Sequence, residues 1–359
     1  MSNSKDIRVI VTGAGAPGIA GTIYALKTNP DNRNVWVMGV DSRDDAVGRY
    51  MTDAFSTIPV SDNDEYINKL VEIAKENRID VILPQVTSEL DKISNASNML
   101  RDEGIFSVIS PSDTIHLAND KFMLLNLASE MNIPCPNYRL VSSEKDLRDA
   151  ANDFGYPKNR FVVKPRNSNG QRGFRIVTEN RWDTNRFLTE KPSGTEISLD
   201  DLLVILSSNT YPDLIVSDYL PGIEYTVDVF AGENVKLAVP RIRTQIRSGV
   251  SFLTEIDMRK DLIEWSLQLT DKLRLKYGLG FQFKLDSQGT PCLLECNPRV
   301  QGTMIAGVFA GFNFIYYGCR ESMGIPVSDD EIKPIDDIRM IRYWGGLVAN
   351  SKTTTSLRI

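Results

Sequence analysis

Residues 281–303 read FQFKLDSQGTPCLLECNPRVQGT. Two apolar runs, FQFKLD and PCLLEC, flank the turn residues Ser287–Gly289, the pattern of an antiparallel hairpin. Alternation places Gln282 and Lys284 on one face of the first strand. Glu295 ends the second strand, and Asn297 and Arg299 follow in the loop. A Gln and a Glu set among apolar residues are costly to bury without partners. Oxygen ligands converging from neighbouring strands suit a hard cation that travels with phosphates. An Arg just beyond them suits a bidentate grip on a carboxylate or a transferring phosphoryl group. The plain alternative is a hairpin with a polar loop; the burial cost of Gln282 and Glu295 favours the metal reading.

Upstream, LIVSDYL, EYTVDVF and VKLAVP read as strands, and an amphipathic helix covers about Leu262–Leu275. Further back, FVVKP and FRIVT are joined by RNSNGQRG, a second hairpin. Lys164 lies in FVVKP ahead of the loop Asn167–Gly173, where a cation would meet phosphates under a closing lid. Lys121, in NDKFMLL at the start of a helix over Lys121–Glu130, has the same chemistry. Each lysine taken alone also fits a solvent-facing position. Arg241, Arg243 and Arg247 in VPRIRTQIRSG fit either a grip on an anionic acceptor or a charged edge strand.

The N-terminal stretch alternates IRVIVT, a helix from Ile19 to Leu26, VWVMGVD, FSTIPV, a helix over Glu65–Glu76, DVILP, a helix near Leu90–Leu100, and FSVIS. Strands alternating with helices predict βαβ units on a doubly wound parallel sheet ending near residue 112. VTGAGAPG carries Gly13, Gly15 and Gly18 after the first strand, and Asp41 closes the next. This spacing suggests dinucleotide binding. It equally suits a tight turn binding no cofactor, or a phosphate or carboxylate site for another substrate. No second His or Tyr-xxx-Lys supplies the acid that hydride transfer needs.

Composition narrows the classes. The 359 residues carry a net charge of -6 and no Lys/Arg-rich run, which argues against nucleic acid as a partner. No apolar run approaches the roughly 20 residues that span a bilayer, and no signal-peptide core is seen at the N-terminus, so a cytoplasmic protein is expected. The four cysteines form no CxxC pair and His116 is the only histidine, which excludes a conventional zinc site and leaves nucleophilic triads to one residue.

The order Lys121, Lys164, glycine-containing loop, SDYLPGIEYTVDV and FQF…LLECNPR resembles the ATP-grasp superfamily. It is most similar to half of the carbamoyl phosphate synthetase large subunit and its short stand-alone relatives, over residues 7–345. The resemblance implies a fold of α/β and α+β parts. A Rossmann-like pre-ATP-grasp domain would occupy 1–112, and a two-lobed ATP-grasp domain 113–345 with a lid lobe at about 138–212. Residues 346–359 would be a loose polar tail. It implies an ADP-forming carboxylate–amine ligase using ATP and Mg2+ through an acyl phosphate, acting on a small carboxylate and an amine or ammonia. Lys121 and Lys164 would contact nucleotide phosphates, with Lys164 also facing the adenine; Asp218, Tyr219 and Leu220 would read the adenine edge; Glu224 would hold the ribose. Gln282, Glu295 and Asn297 would ligate magnesium, and Arg299, with Lys164 and Glu295, would be catalytic. The glycine turn would then face the acceptor, with Gly15, Gly18, Thr87, Ser88, Glu89, Arg241 and Arg243 within its reach. Two alternatives stay open: a carbamoyl phosphate synthetase-like enzyme phosphorylating carboxylate or carbamate, and an NAD(P)-dependent dehydrogenase. A homodimer is one arrangement left open. Many relatives carry a carboxylate where this chain has Gln282, and only one ATP-grasp unit is present, so the full carbamoyl phosphate reaction does not carry over.

Overall fold

The computed structural model describes residues 6–168, 170–179, 183–191, 194–208, 210–247, 249–343, 345–349 and 353–356. Residue 169, in the loop Asn167–Gly173, lies outside these, as do residues 192 and 193 and parts of the tail. The chain divides into two compact units. The first comprises Met1–Ala118, Glu224–Gln282 and Cys296–Ile359, the second Asn119–Ile223 and Phe283–Glu295.

The first unit opens with strands β1 (Ile7–Val11), β2 (Val35–Asp41), β3 (Ala54–Thr57), β4 (Val81–Leu83) and β5 (Phe106–Ser107). They form a sheet in the order β3-β2-β1-β4-β5, with every pairing parallel. The central strands of a parallel sheet are covered on both faces, and β1, β2 and β4 are correspondingly mostly apolar. Val9 and Val11 enter one core cluster, Ile10 and Ile82 another. Helices α1 (Ile19–Lys27), α2 (Tyr66–Glu76), α3 (Leu90–Asn95), α4 (Ser97–Asp102) and α5 (Ser112–Asn119) accompany this sheet. The order reverses between β1 and β4, which makes the carboxyl ends of these two strands a topological switch point. One core cluster also draws in Phe312, Phe314, Tyr316, Tyr317 and Cys319 from the far end of the chain.

The second unit starts with α6 (Lys121–Glu130), capped by Asp120, whose carboxylate accepts from the Phe122 and Met123 N–H groups. An Asp at this position satisfies amides that the first helical turn leaves open. Strands β6 (Tyr138–Val141), β7 (Phe161–Pro165), β8 (Arg175–Val177), β9 (Glu196–Ile197) and β10 (Leu214–Asp218) form a sheet ordered β6-β10-β7-β8-β9. As expected, β7 and β8 are antiparallel.

A six-stranded sheet has the order β15-β14-β11-β12-β13-β16. Its strands are β11 (Glu224–Ala231), β12 (Lys236–Arg247), β13 (Val250–Ile256), β14 (Tyr277–Leu285), β15 (Pro291–Asn297) and β16 (Arg339–Ile341). The β14–β15 hairpin is closed by the Asp286 N–H donating to the Thr290 carbonyl. The tail expected to be loose contains a ribbon instead, β17 (Leu347–Ala349) antiparallel to β18 (Thr354–Ser356). Its consecutive threonines are β-branched and favour extended backbone. Among the described residues, no helix is long and apolar enough to cross a membrane.

Candidate functional site

Within the second unit, Lys121 and Lys164 are both interior, 4% and 8% exposed. Lys121 begins α6, where its Nζ donates to the Ser168 carbonyl at 2.7 Å and lies 3.9 Å from a Glu295 carboxylate oxygen. Lys164 sits on β7 and its Nζ donates to the Leu294 carbonyl at 3.0 Å. The two ammonium groups therefore meet neighbouring residues of β15. Burial pushes the Lys121 pKa down, while the Glu295 and Asp120 charges oppose that shift. Asp120 is itself clasped by Arg166, Nε to Oδ2 at 2.8 Å. Burial works against the ionised form of Asp120. The Arg166 hydrogen bond and the α6 amides overcome this and hold the carboxyl below its usual range. Arg166 follows β7 directly, and sequence reading passed it over, although the helix-capping Asp120 beside Lys121 was visible.

Asp218 ends β10, accepting from the Asn137 backbone and side-chain N–H groups at 3.0 and 2.7 Å. Its carboxylate is thereby committed, which leaves the following residues, Tyr219 and Leu220, beyond the strand ladder. The Tyr219 ring is covered by the Arg160 guanidinium, 3.7 Å from the ring centre, a cation–π arrangement that fixes the ring.

Within the first unit, the partners of Arg299 include neutral oxygens. Its Nε donates to Thr87 Oγ1 at 2.9 Å, Nη1 to the Val300 carbonyl at 3.0 Å and Nη2 to Asn297 Oδ1 at 3.3 Å. Thr87 and Arg299, expected on either side of an acceptor, are thus brought together at the carboxyl end of β4. Gln282 lies partly buried in β14. Ser88 Oγ bonds Ser61 Oγ at 2.8 Å.

Other expected acceptor contacts are engaged elsewhere. Glu89 is 3% exposed; its oxygens accept from Thr12 Oγ1, Tyr66 Oη at 2.6 Å, and the Gln85 and Val86 N–H groups at 3.0 and 2.9 Å. It ties the ends of β1 and β4 together and presents no free oxygen. Desolvation raises its pKa, against the pull of those hydrogen bonds. Arg241 is likewise interior. Its Nε donates to Asp228 Oδ2 at 2.8 Å, with side-chain exposures of 2% and 0%, because a guanidinium removed from water needs a carboxylate close by. Arg243 ion-pairs with Glu224 and donates to Ser251 Oγ at 2.9 Å and the Gly249 carbonyl at 2.6 Å. The expected ribose contact and an expected acceptor grip are therefore partners of each other.

The glycine turn has a packing explanation. Gly13 adopts φ +58, and a Cβ there would meet Val86 at 2.4 Å. A Cβ on Gly18 would lie 2.6 Å from Gly302 Cα, so this glycine lets two backbones touch. The Gly15 N–H, the donor a pyrophosphate would want, goes to Asp41 Oδ2 at 2.7 Å. A carboxylate at that amide opposes a dinucleotide phosphate and weakens the dehydrogenase alternative.

Residues 9–109 match the family described as PylC-like, N-terminal domain, and residues 210–343 the one described as ATP-grasp in the biosynthetic pathway with Ter operon. The chain therefore resembles ATP-grasp proteins. Among curated proteins, it is 23% identical over 251 residues to the carbamoyl phosphate synthase large chain of Clostridium acetobutylicum, covering 67% of this chain and 21% of that one. The corresponding protein of Clostridium perfringens is 27% identical over 247 residues, 65% of this chain and 21% of that one. The chain thus spans about a fifth of the length of these relatives. Two solved ATP-grasp structures share the fold. The biotin carboxylase domain of Hydrogenobacter thermophilus 2-oxoglutarate carboxylase, bound to MgADP, ADP and bicarbonate, has a TM-score of 0.68 at 15% identity, covering 92% of this chain and 73% of that one. Staphylococcus aureus N5-carboxyaminoimidazole synthetase with ADP has a TM-score of 0.65 at 16% identity, covering 91% and 80%.

Proposed function

We propose that the chain is an ATP-dependent, ADP-forming carboxylate–amine ligase acting in the cytoplasm on a small carboxylate and an amine or ammonia. The observation that carries this reading is the pair of interior lysines, Lys121 and Lys164, at the Glu295 end of β15. Interior ammonium groups are expensive unless something anionic arrives to compensate them, and phosphates do so. We take residues 1–112 as the acceptor-facing domain and 113–345 as the ATP-grasp domain, with a lid over about 138–212.

The donor set fits a cation carried by the nucleotide. Among the described residues, no three of His, Cys, Asp or Glu gather to hold a metal. Magnesium bound to phosphates typically takes one or two carboxylates and keeps its remaining ligands from phosphate and water. We assign Glu295 to this role, and the amide oxygens of Asn297 and Gln282 would complete it. Mg-ATP would supply the phosphoryl group and its leaving ADP. Lys121 and Lys164 would neutralise the phosphate oxygens, and the backbone at Asp218–Leu220 would meet the base. Glu224 would hold the ribose on exchanging part of its pairing with Arg243. Arg299, already oriented by Thr87, would face the carboxylate oxygen on which charge develops. Positioning and charge stabilisation suffice for this chemistry, so it needs no histidine.

The test is isotopic. Substrate carrying heavy oxygen in its carboxylate should pass label to inorganic phosphate, with ADP as co-product. Formation of AMP and pyrophosphate would overturn the acyl phosphate route.

A further inference from the structure

A fourth arginine belongs beside Arg299 at the switch point. Arg342 follows β16, and its backbone N–H bonds the Phe252 carbonyl at 2.7 Å. Among the described residues, its side chain rests on backbone carbonyls. Nε donates to Ser251 at 3.1 Å, Nη2 to Gly302 at 2.6 Å and Nη1 to Pro17 at 3.5 Å. The other two arginines of this face are matched to acids, Arg241 with Asp228 and Arg243 with Glu224. Among the described residues, Arg342 has no carboxylate within ion-pair distance, and Ser251 contacts both it and Arg243. Its carbonyl contacts also locate it. Pro17 belongs to the turn after β1, and Gly302 is pressed against Gly18 in that turn. Arg299 meets the turn after β4 through Thr87. The crevice at the carboxyl ends of β1 and β4 is where ligands of such sheets bind, and it has an arginine anchored to each wall.

We propose that the acceptor carries a fixed oxyanion, a carboxylate or phosphate separate from the group being activated, and that Arg342 binds it. This inference rests on the ligase reading. A guanidinium propped by three carbonyls presents its remaining N–H groups in a fixed fork, which suits a planar or tetrahedral oxyanion. Burial, and then the neighbouring Arg241 charge, disfavour the charged form of Arg342; an incoming anion relieves both effects. The substrate class is therefore an anionic amine or a carboxylate with a second acidic group, and not ammonia alone.

Three ligands and three variants test this. Protection from thermal unfolding is titrated with succinate and with inorganic phosphate, and separately with MgADP, in the parent, Arg342→Gln, Arg342→Lys and Lys121→Met. Loss of charge-assisted hydrogen bonds should weaken the anion response of Arg342→Gln about 10–100-fold, leave its MgADP response unchanged, and be partly restored in Arg342→Lys. Lys121→Met should show the converse, losing MgADP protection while keeping succinate binding. The stronger of succinate and phosphate in the parent identifies the oxyanion as carboxylate or phosphate. Failure of the parent to bind either anion, or an unchanged response in Arg342→Gln, overturns the inference. MgADP binding that fails in the parent overturns the ligase reading instead. An intact MgADP response in Arg342→Gln also establishes that this variant folds.

Discussion

Buried charge is handled differently in the two units. In the first, interior guanidinium groups are matched to carboxylates: Arg241 to Asp228, Arg243 to Glu224, and Arg320 to both Asp31 and Glu331. In the second, Lys121 is held by the Ser168 carbonyl and has a carboxylate oxygen no nearer than 3.9 Å. Tight pairs of the first kind fix architecture, since each group's charge is neutralised before any ligand arrives. A buried ammonium resting on a carbonyl leaves much of its field unspent, and that is the property a phosphate site needs. Arg342 is the exception that belongs, by this measure, with Lys121.

The largest effect expected from the contrast is structural. Asp228→Ala strands the interior Arg241 guanidinium and should destabilise the first unit by about 3–5 kcal/mol, measured by denaturant unfolding. A variant as stable as the parent would show that the pair is dispensable to the fold. Lys121→Met should instead leave stability nearly unchanged, since removing an incompletely compensated buried charge is often neutral. It should weaken MgADP by about 1.5–3 kcal/mol, read by calorimetric titration, as for a lost hydrogen bond to a charged group. Undiminished MgADP affinity would remove Lys121 from the nucleotide site.

Glu224 stands on the line between the two kinds. Glu224→Gln keeps the shape but takes the charge from Arg243, which also has Ser251 and Gly249 as partners. A cost of about 1 kcal/mol is expected, because those neutral contacts remain. A loss as large as that of Asp228→Ala would make Glu224 purely architectural and sink its role at the ribose.

Elements defined by period and caps were legible in the sequence. Helix Lys121–Glu130 and strand Val35–Asp41 appear as read, the strand marked by a continuous apolar run. The stretch near Leu90–Leu100 breaks at Ala96 into two helices. Strand β12 runs past Pro240, where the reading stopped. Its ladder to β13 begins only at Arg241, while the Pro240 carbonyl accepts from Asp257, so the missing N–H falls at the end of that ladder. Helix Phe314–Ser322 was not recognised; most of its residues are buried, and a helix covered on nearly all sides shows no polar stripe to reveal its period. The hairpin carrying Glu295 and Asn297 was legible because its chemistry is local. Partners were not. Arg241 and Asp228 are 13 positions apart, and Arg320 and Asp31 are 289 apart. A sequence shows the charges without showing which will neutralise which, and Arg342 has no motif around it at all.

The smallest effect concerns the protonation of Lys121. Burial depresses its pKa below the ordinary 10.5, and Glu295 and Asp120 only partly restore it. A lysine with a depressed folded pKa loses its proton in the native state before it does so in the unfolded chain. Between the depressed value and the ordinary one, the unfolded state therefore binds more protons, and stability rises with pH. Below that window both states are protonated and the burial penalty is constant. Other groups titrate in alkali too, including thiols such as Cys135, pushed up by burial to about 12. The quantity to follow is accordingly the unfolding free energy of the parent minus that of Lys121→Met, measured at stepped pH from neutrality to the ordinary lysine value. This difference should climb with pH without ligand. Saturating MgADP should flatten it, because a phosphate beside the ammonium returns its pKa towards normal. A difference for Lys121 that is flat without ligand would mean that Glu295 already compensates the charge, and the contrast between the two units would then reduce to one of side-chain type.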